Sequence, residues 1–436
     1  MTAVAPERSS PRRARPTTAG RPGRLVGVDV ARFIAVFGMF CIHFGVPFAG
    51  GWPEVVVAQF FSGRSTALFT FLAGVSLALM TGRTTPPTGQ ALRDAKRRVA
   101  VRAVVLLVLG LALAKATEAT GFLLTVIIPF YGLYFLLAVP FLRLRARGLI
   151  IAAAVSAAIG PQLSFVLRGW IAADTPLSAL VSLVNSVDPG HLIAHEGLFD
   201  LLLLGFYPAA SYLPLVLAGL AVGRLDLKSL RVRLRIGLIG LALSLVGYQA
   251  SFLLMPAGPP SPVEGTIPVG HPEWLLAANA HSGTTFELLG AGGIALLVLS
   301  ICLELSDRTG RWLAPLAKAG SMALTLYAAH ALALAWQITT GGWPLSGVPE
   351  NLAHLASLGP ALPMDDPNLP WFPRDGHQPE GMVALINTFM PEVFLVATFA
   401  FTYGWRHFFR RGPLEALVSD IVRWTTTSRN PQRTTS

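Results

Sequence analysis

Charge is scarce in this chain. Only 13% of its 436 residues are Asp, Glu, Lys or Arg, and 53% are hydrophobic, too little charge to coat the water-facing surface of two or three soluble domains of this total length. Cysteine is nearly absent: Cys41 and Cys302 lie in or beside different apolar runs near opposite membrane faces. A disulfide between them is not expected, and no cysteine-based metal site can be built. Also missing are His-Glu-x-x-His, the P-loop and Gly-x-Ser-x-Gly, the local signatures of zinc enzymes, NTPases and α/β-hydrolases. No metal is therefore expected. The two halves share no clear similarity, which speaks against the inverted repeats of many transporters.

What the chain does contain is a series of apolar runs of about 20 residues, the length that crosses a ~30 Å hydrocarbon core as helix. The expected fold class is all-α, a polytopic membrane helix bundle with about ten spans: 26–48, 55–81, 99–116, 121–141, 148–168, 198–222, 236–255, 279–303, 319–340 and 382–405. Net charge is +11, but the basic residues sit in short clusters between runs, which is a topology signal and not a nucleic-acid footprint. All of the 34 Lys and Arg fall on one side except Lys115, Arg168 and Arg374 opposite and Arg32 and Arg64 within spans. Both termini are then cytoplasmic. Residues 1–24, with six arginines among Pro, Thr, Ala and Ser, read as a disordered basic tail and not as a removed signal peptide. Residues 25–411 form the helical domain, and 412–436 a cytoplasmic interfacial helix and tail, with Leu414, Leu417, Val418 and Ile421 on one face. Of the long outer segments 169–197, 256–278 and 341–381, the last suits an ordered cap.

With sidedness assigned, the polar residues inside the apolar runs become candidates. His43 ends the first span near its outer boundary, either as the start of an outward-facing site or as an imidazole reaching to water. Arg64 lies about ten residues below the outer end of the second span, where a charge costs at least ~2.5 kcal/mol without a partner. It needs an anion or a carbonyl, as an internal ion pair or as a donor to substrate. Asp29 and Arg32 share a helix face at the inner start of the first span, as a local salt bridge or as part of an anion site. The eighth span opens with Asn279, His281, Ser282, Thr284, Thr285 and Glu287, and so many buried polar groups call for a polar cavity. On a helix, His281 and Glu287 would stand 120° apart. Tyr327 and His330 lie one turn apart in the ninth span, for a helix–helix hydrogen bond or for function. Gly74, Ala78 and Gly82 read as a packing stripe.

The stretches "VGVDVARFIAVFGMFCIHFG" and "GRSTALFTFLAGVSLAL", followed by "FYGLYFLLAVPFLRL", "YPAASYLPLVLAGLAVGRLDL", "HSGTTFELLGAGGIALLVLSICLEL", "LAPLAKAGSMALTLYAAH" and "RRGPLEALV", resemble the bacterial YeiB-type membrane family. Through their N-terminal half they also resemble the catalytic domain of heparan-alpha-glucosaminide N-acetyltransferase. Within that pattern the Asp-x-x-Arg start matches at Asp29 and Arg32, Phe33 stands where a small residue is common, and His43 falls where the animal enzyme has an Asn. The resemblance implies a transmembrane acyltransferase of the bacterial plasma membrane, with acetyl-CoA or another acyl-CoA as cytoplasmic co-substrate. The acceptor would be an envelope glycan or glycolipid, the surroundings membrane lipids, and the assembly either a single chain or a homodimer. Placed on these residues, His43 is the expected general base, and Arg64 with Asn279 or His281 stabilises the oxyanion. Glu287 and His330 are expected in substrate binding, and Asp29 and Arg32 with the inner arginines hold the nucleotide phosphates. A transporter or flippase for an anionic or glycolipid substrate would use the same polar groups, with Glu287 or His330 as proton relay; a scaffold would use them only to join helices.

Overall fold

The computed structural model describes residues 25–48, 52–118, 120, 124–255, 265–309, 312–340 and 381–427. The predicted tail at 1–24 and nearly all of the predicted outer cap lie outside these residues. Among them every regular element is helical. In chain order these are α1 (Val26–Phe44), α2 (Trp52–Phe61), α3 (Arg64–Met80), α4 (Gly89–Ala116), α5 (Ile128–Ala138), α6 (Ala146–Ala172), α7 (Pro176–Asn185), α8 (Pro189–Ala194), α9 (Ala209–Gly223), α10 (Leu230–Leu254), α11 (Thr285–Thr309), α12 (Ala314–Gly320), α13 (Ala323–Thr339), α14 (Gly381–Thr388), α15 (Met390–Phe408) and α16 (Pro413–Thr427).

The chain is a polytopic helical bundle. Among the described residues, six segments are long and apolar enough to cross a membrane unaided: α1, the continuous run Val56–Met80 through α2 and α3, α4, α6, α10 and α11. Two more qualify as bent pairs, α12 with α13 at 73° and α14 with α15 at 85°, giving six to eight spans against the ten expected. The other two expected spans correspond to Ile128–Arg143 and Ala209–Gly223. At 1.5 Å per residue these reach only ~22–24 Å, short of a full crossing. The lipid-facing helices are recognisable from their exposed apolar faces: Ile151, Val155 and Ile159 on α6, and Leu234, Leu238 and Leu245 on α10. Such a surface is matched by hydrocarbon and not by water.

α1 is the axis, packed against α3, α11, α12 and α13. Close approach depends on small residues. Gly74 of α3 meets the Val216 carbonyl and Gly219 of α9 meets the Phe71 carbonyl, so a Cβ at either would overlap backbone. Ala78 continues this seam against Gly223, but Gly82 does not: α3 ends at Met80 and Gly82 sits beyond it with φ +97°. Arg224, counted from sequence as a loop cation, is buried and ties three segments, donating to the carbonyls of Thr81 (2.7 Å), Arg83 (2.9 Å) and Leu142 (2.9 Å).

α16 packs against α4 and α13 with Val418 fully buried, while Leu417 and Trp424 stay exposed. The Glu415 carboxylate accepts from Leu324 N (2.8 Å), Thr325 N (3.2 Å) and Thr325 Oγ1 (2.6 Å), and so caps the N-terminus of α13 from ~90 residues away. Arg97 donates to the Thr425 carbonyl. The helix expected along the membrane surface is thus also a closure of the bundle.

Candidate active site

The last turn of α1 and the middle of α13 meet through their histidines. His43 Nδ1 lies 2.7 Å from His330 Nε2, the two rings stacked with centroids 4.9 Å apart, and His330 Nδ1 lies 3.2 Å from the Tyr327 carbonyl oxygen. A carbonyl can only accept, so His330 carries its proton on Nδ1 and, when neutral, presents Nε2 as an acceptor. His43 must then donate from Nδ1. Its Nε2 is left as a bare lone pair, with no hydrogen-bond partner for it among the described residues. Phe40, Phe44 and Phe394 surround the His330 ring, which is fully buried, while His43 is half-buried.

Glu287 from the first turn of α11 and His281 from the loop before it form a second polar group. The helical reading of 279–284 is overturned: these residues form a loop, with His281 at φ +63° and Gly283 at φ +68°, and α11 begins only at Thr285. The 120° separation deduced for a helix therefore does not apply. Thr284 caps α11, its Oγ1 accepting from Glu287 N at 3.1 Å. Thr284 and Glu287 have the spacing of a capping box, a signal the sequence reading missed. The carboxylate, however, reaches past its usual partner to His281 N (2.8 Å) and Gly283 N (2.6 Å), with Ser282 Oγ at 3.4 Å. Glu287 is thus engaged by its own loop. The His281 ring packs on Phe206 and Tyr207, and Nδ1 lies 3.5 Å from Tyr212 Oη. It is within electrostatic range of His43. Asn279 is half-buried in the same loop, its carbonyl accepting from Ser282 N at 3.2 Å.

Of the tyrosines nearby, only Tyr327 was singled out from sequence. Tyr131, Tyr134, Tyr207, Tyr212 and Tyr327 are all buried in the bundle. Tyr134 donates to the Tyr207 carbonyl, and Tyr327 Oη accepts from Ile127 N at 3.1 Å, leaving the Tyr327 hydroxyl proton available. Between α8 and a π-helical turn at Asp200–Leu204, outside the spans, lies a further polar group. Asp200 Oδ2 is 2.6 Å from His191 Nδ1 and accepts from Gly197 N at 2.9 Å. Beside it, burial and then the Asp200 charge push the Glu196 carboxyl up to about 8. Its Oε2 is buried without a partner among the described residues, and Tyr134 and Tyr327 lie within electrostatic range. The concentration of His, Glu and Asp in "HLIAHEGLFD" was the available signal.

Arg64 does not join this group. Its Nη1 donates to the carbonyls of Gln59 (2.9 Å) and Phe60 (3.2 Å) at the α2–α3 break, and the guanidinium stacks 4.8 Å from the Tyr248 ring. The carbonyl that the sequence argument required is local backbone, so the oxyanion role expected of it is not supported by this geometry. Asp29 and Arg32 form the expected pair at 2.7 Å, with Arg32 also donating to Ser76 Oγ at 2.7 Å. Arg102 and Arg411 lie in the same electrostatic neighbourhood, with Glu415. Fourteen residues of α1, ~21 Å, separate Asp29 from His43.

Among known proteins, a family model described as heparan-alpha-glucosaminide N-acetyltransferase, catalytic, matches residues 24–247, just over half of the chain. It spans His43, Arg32 and Glu196, and ends before His281, Glu287 and His330. No curated protein matches the chain.

Proposed function

The chain belongs to the heparan-alpha-glucosaminide N-acetyltransferase catalytic family, and from that premise we propose that it is a membrane acyltransferase moving an acyl group, in the first instance acetyl, from cytoplasmic acyl-CoA to a sugar or lipid headgroup of the bacterial envelope. The observation that carries this reading is the relay from the Tyr327 carbonyl through His330 to His43. It gives α1 a neutral imidazole whose free nitrogen is a base, in an interior lined by tyrosine hydroxyls and carboxylates.

In the proposed reaction, the acceptor O–H or N–H hydrogen-bonds to His43 Nε2. The acceptor's electron pair attacks the thioester carbonyl carbon as the proton passes to Nε2. The oxyanion that forms is met by the Tyr327 hydroxyl, whose oxygen is held by Ile127 N. The carbonyl re-forms, the carbon–sulfur bond breaks, and the CoA thiolate recovers the proton from imidazolium. Donor phosphates would sit with Arg32, Arg102 and Arg411, Asp29 orienting Arg32. The ~21 Å from Asp29 to His43 suits a donor with a long arm between its charged end and its thioester. Glu196 and the aromatic side chains near it suit a hydroxyl- or amine-bearing acceptor.

Purified protein in nanodiscs given radiolabelled acetyl-CoA and envelope glycolipid extract tests this. Transfer to the extract is expected, and His43→Gln should reduce it about 10²–10⁴-fold with abundance unchanged. A chain that neither binds acetyl-CoA nor transfers label would favour transport or a scaffold.

A further inference from the structure

The inference rests on the acyl-transfer reading and concerns a residue that the reaction above does not use. Glu287 is almost completely buried, and a carboxylate at that depth is expensive. The usual capping-box contact does not account for it: Thr284 Oγ1 takes the Glu287 N–H, but the carboxylate bonds no N–H of Thr284. Its strongest contacts go instead to the backbone on both sides of Ser282: His281 N at 2.8 Å and Gly283 N at 2.6 Å. Both of those residues are left-handed. For Gly283 this is free; for His281, which has a Cβ, it is an uncommon and costly conformation that persists only where surroundings hold it.

The same carboxylate reaches the imidazole by a second route. Tyr212 Oη lies 3.5 Å from Glu287 Oε1 and 3.5 Å from His281 Nδ1. Both Glu287 oxygens already accept from backbone amides, so the tyrosine proton points to Glu287 Oε1 and the phenolic oxygen accepts from His281 Nδ1–H. His281 then carries no proton on Nε2, so that nitrogen accepts from an incoming hydroxyl or amine and cannot donate to an oxyanion. On the other side, the loop is braced by the α2–α3 break: a Cβ at Gly63 would stand 2.9 Å from Ala280 Cα.

We infer that Glu287 is a positioning residue, which through two backbone amides and Tyr212 sets both the place and the tautomer of His281 so that its Nε2 accepts a hydrogen bond from the acyl acceptor.

The test uses the full chain in nanodiscs, labelled with ¹⁵N-histidine and observed by solid-state NMR, the His281 signals identified by their loss in His281→Gln. The wild type should show His281 protonated on Nδ1 and bare at Nε2. Tyr212→Phe, which keeps the ring and leaves the clamp intact, and Glu287→Gln should each release the tautomer toward Nε2–H. In the transfer assay both should raise KM for the acceptor and lower kcat, each about tenfold, with KM for acetyl-CoA within about twofold; Glu287→Asp should recover part of the loss. A wild-type His281 protonated on Nε2, or a tautomer unmoved in both variants, overturns the inference. Absence of any transfer by the wild type would overturn the acyltransferase reading, and the NMR result would still decide what Glu287 does.

Discussion

At the residue scale, the functional weight falls on how polar atoms are paired. His43 was legible because an imidazole closing an apolar run asks for a reason. Its partner was not, since His330 lies 287 positions away and only the crossing of α1 and α13 makes them neighbours. His330→Phe should therefore keep the packing of this aromatic corner but release the His43 tautomer, lowering kcat about tenfold or more in the acetyl-transfer assay with little change in KM for acetyl-CoA. Glu196 permits a test without turnover. Its folded carboxyl sits at about 8, above the ordinary value of 4.5, so between those limits the folded state keeps a proton that the unfolded state has lost. Stability then falls as pH rises through this window and is undiminished below it. The groups within electrostatic range of it, Asp200, Tyr134 and Tyr327, come from the π-helical turn, α5 and α13, and His191 of α8 pairs with Asp200. Glu196→Gln should leave the melting temperature unchanged near pH 4.5 and raise it relative to wild type at pH 8–9, measured by thermal denaturation in one detergent.

Among the elements, breaks matter more than helices. The apolar runs announced the helices; the interruptions at 62–63 and 279–284 place the site, and hydrophobicity is blind to them. Arg64 illustrates this. An intramembrane arginine needs an anion or a carbonyl, and it takes the carbonyls of Gln59 and Phe60 where α2 gives way to α3. Arg64→Met should cost about 1–3 kcal/mol, since those acceptors lose a charged donor, while kcat in the transfer assay changes less than about threefold. A collapse of kcat at unchanged melting temperature would return Arg64 to the chemistry. The α3–α9 seam carries a complementary expectation. Gly219→Ala drives a methyl into the Phe71 carbonyl and should lower the melting temperature and the yield of folded protein.

At the scale of the whole molecule, the site has two ends along α1, a basic one at Arg32 and an imidazole one at His43, and the reading requires them to face opposite sides of a membrane. Lys228→Cys, in the α9–α10 connection, and Ser186→Cys, after α7, are both exposed, whereas the native Cys41 and Cys302 are buried. In intact cells an impermeant maleimide should label the cysteine at 186 and spare that at 228 until the membrane is opened. By itself, the sequence determined that this is a membrane helix bundle, because segment length and hydropathy are local quantities that add along a chain. It also determined that His43, His330, His281 and Glu287 needed explaining, since each is costly where it stands. Tertiary structure alone decided which of them meet and which nitrogen is left bare, and that Arg64 and Glu287 bind backbone. Hydrogen bonding is short-ranged and directional, so its partners are chosen by helix crossings and loop breaks that no single stretch of sequence encodes.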